Sequence, residues 1–188
     1  MIVGILLAAG SGTRFGSHKL LHPLPDGTPM AVAALRNLAQ GVDEVIVVVR
    51  PGDTRLMQLL AQEGGQVLPC AQADQGMGAS LACGVRAAPD SEGWVIALAD
   101  MPFVPRAIIC TLAARLKAGD AIVAPAYLGQ RGHPVGFSHA FYPTLSALSG
   151  DQGARHILQQ NTDRLTLIPG TDSGVLHDID TPADLNRP

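Results

Sequence analysis

The sequence predicts an α/β protein built on a mainly parallel, doubly wound sheet with helices on both faces. Three observations predict it. β-rich apolar runs alternate with helix-length segments along most of the chain, the pattern of βαβ units. Hydrophobic residues make up 47% and aromatics 4%, so the core must be mostly Leu, Val, Ile and Ala, as in a sheet covered on both sides. The first strand also runs straight into a glycine-rich loop, which is how an open parallel sheet delivers a strand end to a ligand crevice.

The first strand is expected over residues 3–8, an apolar run that ends in small residues. A helix near 29–40 and a strand at 44–49 follow, then Pro51-Gly52-Asp53, which is turn chemistry rather than a linker. A helix over 54–63, a short strand at 66–68 and a helix over 79–88 lead to a second turn, Ala88-Pro89-Asp90. The run Trp94-Val95-Ile96-Ala97-Leu98 reads as a buried strand, followed by a helix over 106–117 and a strand over 121–124. After Ala126 the pattern changes. Gly129-Gln130-Arg131-Gly132-His133-Pro134 reads as a long polar turn into a strand of reversed direction at 135–138, with a short helix near 154–160 and a strand near 165–168. With 188 residues and no repeat or low-complexity tract, one domain is expected.

A net charge of −3 argues against a general nucleic-acid or anionic-membrane surface, so local cations must do any phosphate binding. Cys70, Cys83 and Cys110 form an odd set without metal-ligand spacing, each in an apolar neighbourhood, and read as buried structural thiols. The N-terminus lacks a basic region before its first apolar run, and nothing approaches the roughly 18 apolar residues of a membrane span. A reducing, cytoplasmic setting is expected.

Gly10, Gly12 and Gly16 in the first loop allow backbone N–H groups to converge on an anion, with Arg14 and Lys19 adding a forked and a point-like positive charge. The loop matches neither the P-loop nor the dinucleotide fingerprint, and a solvated loop cation is the bland alternative. Asp100 ends a buried strand, where a carboxylate either faces the ligand crevice or caps the next helix. Asp178 and Asp180 share a face if their segment is extended, although Asp180 before Thr181-Pro182 could equally cap a last helix. Ser80 before an apolar helix reads naturally as an N-cap, Asp151 as a cap in a loop entering a helix, and His133 as a surface loop histidine.

The motif L-A-A-G-x-G-x-R-F-G-x-x-K-L-L-x-P-L-x-D-G, from Leu7 to Gly27, is far more specific than its glycines. It resembles the signature of the MobA-like nucleotidyltransferases, and within them the molybdenum cofactor cytidylyltransferases. Further colinear matches are Gly76-Met77-Gly78-Ala79-Ser80-Leu81, Leu98-Ala99-Asp100-Met101-Pro102, Gly132-His133-Pro134-Val135, Gly150-Asp151-Gln152-Gly153-Ala154-Arg155 and Asp178-Ile179-Asp180-Thr181-Pro182.

The resemblance implies a three-layer, Rossmann-like fold of the nucleotide-diphospho-sugar transferase type, with a nucleotide-binding half over about 1–126 and an acceptor-side half over about 127–188. It implies Mg²⁺-dependent transfer of CMP from CTP to molybdopterin-type cofactor, with pyrophosphate released and a transient contact with a molybdoenzyme or its chaperone. Lys19, Arg14 and Asp100 would be catalytic. Leu7, Ala8, Ala9, Gly10, Gly12, Arg14, Lys19, Gly76, Gly78 and Ser80 would bind the nucleotide, and His133, Asp151 and Arg155 the acceptor. Asp100 and Asp180 would hold the metal. Members that use GTP tend to carry Leu-Ala-Gly-Gly where this chain has Leu7-Ala8-Ala9-Gly10. Competing readings are the same chemistry on GTP or another phosphorylated acceptor, a non-catalytic molybdopterin carrier, and an oxidoreductase. The mismatch to G-x-G-x-x-G disfavours the last, and the intact Lys19, Asp100 and Asp180 disfavour a pure carrier.

Overall fold

The computed structural model describes residues 1–10, 15 and 18–186. Gly12 and Arg14 therefore lie outside the described residues. Eight strands form one sheet: β1 (Ile2–Ala8), β2 (Glu44–Val49), β3 (Gln66–Pro69), β4 (Gly93–Leu98), β5 (Ile122–Tyr127), β6 (Gln130–Arg131), β7 (Val135–Ser138) and β8 (Leu165–Gly170). Their order is β3-β2-β1-β4-β7-β5-β6, with β8 paired to β5. Strands β1 to β4 are parallel, and β7 runs antiparallel to both β4 and β5. β5 and β8 are parallel to each other and so run with the first four strands. The expected mainly parallel α/β sheet is present, with the reversed strand inserted in its middle.

Alternation along β1 explains the layering. Ile2, Leu6 and Ala8 belong to one buried cluster and Val3 and Ile5 to another, because successive side chains point to opposite faces. The first cluster packs under α1 (Met30–Ala39), α2 (Thr54–Gln62) and α4 (Arg106–Lys117) through Leu35, Leu38, Leu56, Leu60, Ile109 and Leu112. The second packs under α3 (Met77–Arg86), α5 (Tyr142–Ser146) and α6 (Arg155–Gln160) through Leu81, Val85, Leu145, Ile157 and Leu158. Gly4 lets α1 sit close on the sheet: a Cβ there would come within 2.9 Å of the Leu38 side chain.

Four local expectations are corrected, the last being the burial of all three cysteines. The polar stretch at 129–134 is not one long turn: β5 and β6 form a hairpin pairing Tyr127 with Gln130, with Leu128 and Gly129 both at positive φ. Ser80 is not an N-cap but lies inside α3, where its Oγ donates back to the Gly76 carbonyl at 3.3 Å. Asp151 caps nothing, since Ala154 occupies the cap of α6 without a side-chain hydrogen bond. Of the three free cysteines only Cys70 is fully buried, while Cys83 and Cys110 are partly exposed. No helix of the described residues is long and apolar enough to cross a membrane.

Candidate active site

The C-terminal ends of β1 and β4 open into a cavity of about 500 Å³. The backbone aligns the two ends, with the Ala99 amide donating to the Leu7 carbonyl at 3.1 Å. One end of the cavity is ionic. The Lys19 ammonium donates to Asp100 Oδ2 at 2.9 Å and to Asp180 Oδ1 at 3.1 Å. Lys19 itself is only 8% exposed. Burial opposes its charge, but hydrogen bonds and charge from Asp100, then Asp180, outweigh burial and hold its pKa above the ordinary lysine value.

The C-terminal segment is anchored to present Asp180. The Ile179 side chain is fully buried in a cluster with Phe15, Leu24 and Met30. The Ile179 amide donates to the Asp100 carbonyl at 3.0 Å. Buried Asp184 then accepts from the Asp180 amide at 3.2 Å, the Thr181 amide at 2.8 Å and the Thr181 hydroxyl at 2.9 Å. Asp178 is exposed, with buried Ile179 between it and Asp180. It is thus Asp180, not Asp178, that shares the lysine with Asp100.

Asp100 and Asp180 each place one carboxylate oxygen on the same ammonium, so the pair could contribute ligands to a hard divalent cation. Mg²⁺ suits such a pair, because it uses few protein carboxylates and fills its shell with waters and phosphate oxygens. Among the described residues no group of three or more His, Cys, Asp or Glu converges on a metal position, so these two carboxylates would be the protein's share.

The cavity is also lined by Ala9, Gly10, Ala73, Gly76, Met77 and Ser80, with Leu7 on its wall. Ala8 and Gly78 lie behind it, Ala8 in the core under α1 and Gly78 buried against the 149–150 backbone. A Cβ on Gly10 would meet nothing within 4 Å among the described residues. Gly76 and Gly78 are required for a different reason. Gly76 has φ +121°, and a Cβ there would collide with Asp151 Oδ1. The Gly78 amide donates to the Gly150 carbonyl at 2.7 Å, seating the 149–151 loop on the start of α3.

Two residues absent from the sequence reading brace this lining. Arg50, at the exit of β2, donates from Nε to the Ala9 carbonyl at 2.8 Å and pairs through Nη1 with Asp74 at 2.7 Å. An arginine just past a buried valine strand and before Pro51-Gly52 was the signal available.

A second cavity, about 260 Å³, adjoins the first and shares Leu7, Met77 and Leu98 with it. It is largely apolar, with Ile96, Val135, Phe137 and Leu158 on its walls and Arg131, His133, Gln152 and Arg155 contributing polar groups. His133 and Arg155 therefore meet here, whereas Asp151 lines the first cavity instead. Burial, then the Arg131 guanidinium, push the His133 imidazole below its ordinary pKa, against the pull of Asp100 and Asp178. Its Nδ1 is buried without a protein hydrogen-bond partner. A cavity rich in carboxylates thus adjoins a largely apolar one that carries two guanidiniums.

The MobA-like NTP transferase domain matches residues 4–165. The purine catabolism protein PucB of Bacillus subtilis is 32% identical over 97% of this chain and 93% of its own length. Nicotine blue oxidoreductase of Paenarthrobacter nicotinovorans is 30% identical over 99% of this chain and 95% of its own. Molybdenum cofactor guanylyltransferase of Burkholderia vietnamiensis is 35% identical over 81% of this chain and 75% of its own. The crystal structure of Rv0371c from Mycobacterium tuberculosis superposes with a TM-score of 0.84 at 27% identity, covering 97% of this chain and 94% of that one. Rv0371c is also known in complex with manganese.

Proposed function

As the chain belongs to the family of MobA-like NTP transferase domains, we propose that it transfers CMP from CTP to the phosphate of molybdenum–molybdopterin cofactor. The observation that carries this reading is the shared wall of Leu7, Met77 and Leu98. It sets a cation-and-carboxylate cluster suited to a triphosphate beside a separate, drier cavity able to take a second substrate. In this reading residues about 1–126 serve the nucleotide and about 127–188 the acceptor.

An oxygen of the acceptor phosphate forms a bond to the α-phosphorus of CTP while the bond to the bridging oxygen breaks, and pyrophosphate leaves with that oxygen. A phosphate monoester is already largely ionised at neutral pH, its second pKa being about 6, so no general base is required of the chain. Catalysis rests on positioning and charge neutralisation. Lys19, with Arg14 from the same loop, holds the triphosphate; Asp100 and Asp180 would hold Mg²⁺, which would supply charge neutralisation. Ala9, Gly10, Gly76 and Ser80 receive the nucleoside, braced by Arg50 through the Ala9 carbonyl. Arg131, His133 and Arg155 receive the acceptor, which afterwards passes to a molybdoenzyme or its chaperone.

A second reading, guanylyl transfer, is favoured by the 35% identity to a molybdenum cofactor guanylyltransferase. Ala9 favours CTP, because its methyl narrows the wall that meets the base. Pyrophosphate release with molybdopterin cofactor, measured with CTP and with GTP, tests both. Release that depends on CTP is expected; release with GTP alone makes the protein a guanylyltransferase, and none with either overturns transfer to this acceptor.

A further inference from the structure

Four carboxylates line the larger cavity: Asp74, Asp100, Asp151 and Asp180. Three are matched by cations, Asp74 by Arg50 and the other two by Lys19. Among the described residues Asp151 alone of the four has no such partner. An uncompensated negative charge in a cavity that takes a triphosphate repels the ligand's phosphates. It is compatible with binding only where a different part of the ligand offers hydrogen-bond donors.

The position of Asp151 identifies that part. Its Oδ1 lies over Gly76, in the space a Cβ would fill, beside Gly76 and Ser80 on the cavity lining, and Lys19 makes its ion pairs with Asp100 and Asp180 instead. The loop that carries it is held by main chain, and no other described residue forms a hydrogen bond or ion pair with the carboxylate. The Gly78 amide bonds Gly150, and the Gly153 backbone packs near the Met77 sulfur. The neighbouring Ser80 hydroxyl donates its proton to the Gly76 carbonyl.

We propose that Asp151 is a specificity-determining residue whose carboxylate accepts a hydrogen bond from the amino group of the nucleobase. The inference rests on the reading of this cavity as a nucleotide site. An ionised carboxylate can only accept hydrogen bonds. The cytosine N4 amino group donates, whereas uracil presents an O4 acceptor at the same place and is repelled. Guanine and hypoxanthine differ in the same sense at the 2-amino group. Asp151 thus selects for amino-bearing bases while Ala9 acts on ring size.

Calorimetric titration of the Mg²⁺ complexes of CTP, UTP, GTP and ITP into the native protein and Asp151→Ala tests this. In the pair the native protein prefers, the amino-bearing nucleotide should bind at least tenfold tighter than its oxo or deamino partner. Asp151→Ala should bring that ratio to within twofold. Asp151→Asn, whose amide can turn an N–H toward O4, should raise UTP affinity relative to CTP. A ratio unchanged in Asp151→Ala overturns the proposal, as does equal binding within the preferred pair of the native protein. A uniform gain for all four nucleotides in Asp151→Ala also overturns it, because that is the signature of charge alone. Preference for the guanine pair, with its discrimination lost in Asp151→Ala, refutes cytidylyl transfer but leaves Asp151 as the reader. Absence of binding by any nucleotide removes both.

Discussion

The Ile179 amide donates to the Asp100 carbonyl at 3.0 Å, so the turn after β4 that carries one acidic residue fixes the backbone beside the other. Asp180 is held against Asp100 by main chain, by Ile179 in the Phe15–Met30 cluster and by Asp184 beneath it. The spacing of the two carboxylates is therefore a property of the fold and is in place before any ligand arrives.

Lys19→Ala is expected to weaken nucleotide binding by about 1.5–3 kcal/mol, the scale of a charge-assisted phosphate contact. Titration calorimetry with CTP reads this directly. Unaltered affinity would remove Lys19 from the triphosphate site.

Asp100→Asn should cost at least tenfold in turnover, about 1.4 kcal/mol or more in the barrier, and Asp180→Asn should act likewise. Circular dichroism should show both variants folded. Near-native turnover of Asp100→Asn at low Mg²⁺ would end its assignment to the metal.

Asp184→Ala tests positioning without touching a substrate. The substitution leaves the Asp180 and Thr181 amides and the Thr181 hydroxyl without their acceptor, at a cost of about 1–3 kcal/mol of stability. Turnover should fall, and the Mg²⁺ concentration needed for half-maximal rate should rise. A stability loss with unchanged Mg²⁺ dependence would make Asp184 a structural residue only.

Ala9→Gly should relax the preference for CTP over GTP by about 1–3 kcal/mol, the worth of one methyl-sized change in a pocket. Competition between the two nucleotides measures it. An unchanged ratio would place purine exclusion elsewhere on the cavity wall.

His133 gives stability a pH signature. Burial and Arg131 lower its folded pKa, so the unfolded chain takes up a proton there first as pH falls. The stabilisation is complete above the unfolded value of about 6.5 and is lost as pH falls through the folded value. Urea midpoints should decline between neutral and mildly acidic pH, and His133→Gln should flatten that decline. Parallel curves for native and variant would contradict the burial argument.

Local signals made the long elements legible. The unbroken apolar run of β1 and the valines of β2 define their strands from composition, because a strand buried on both faces has no polar positions. Five-residue α5, with Pro143 near its start, and two-residue β6 are too short to show a period. Lys19 lies 81 residues from Asp100 and 161 from Asp180, so no window contains the cluster they form. The family motifs named those residues, but only the fold shows that one ammonium bridges both carboxylates. Arg50 and Asp74 went unnoticed for the same reason: each is an ordinary loop charge until the chain brings them beside Ala9.

Strand β7 has a consequence for how the site can diversify. Lying between β4 and β5, it separates their ends by two strand spacings, about 10 Å. Because it runs backwards, the residues that precede it, Gly132-His133-Pro134, reach the rim where its neighbours terminate. The sheet thus brings residues from a separate hairpin to the rim, tied at Gly132 and His133 to Pro125 and Val175 and distant in sequence from Lys19 and Asp100. Changes to this hairpin would alter the second cavity through Arg131 and His133 without touching the β1 or β4 strand ends.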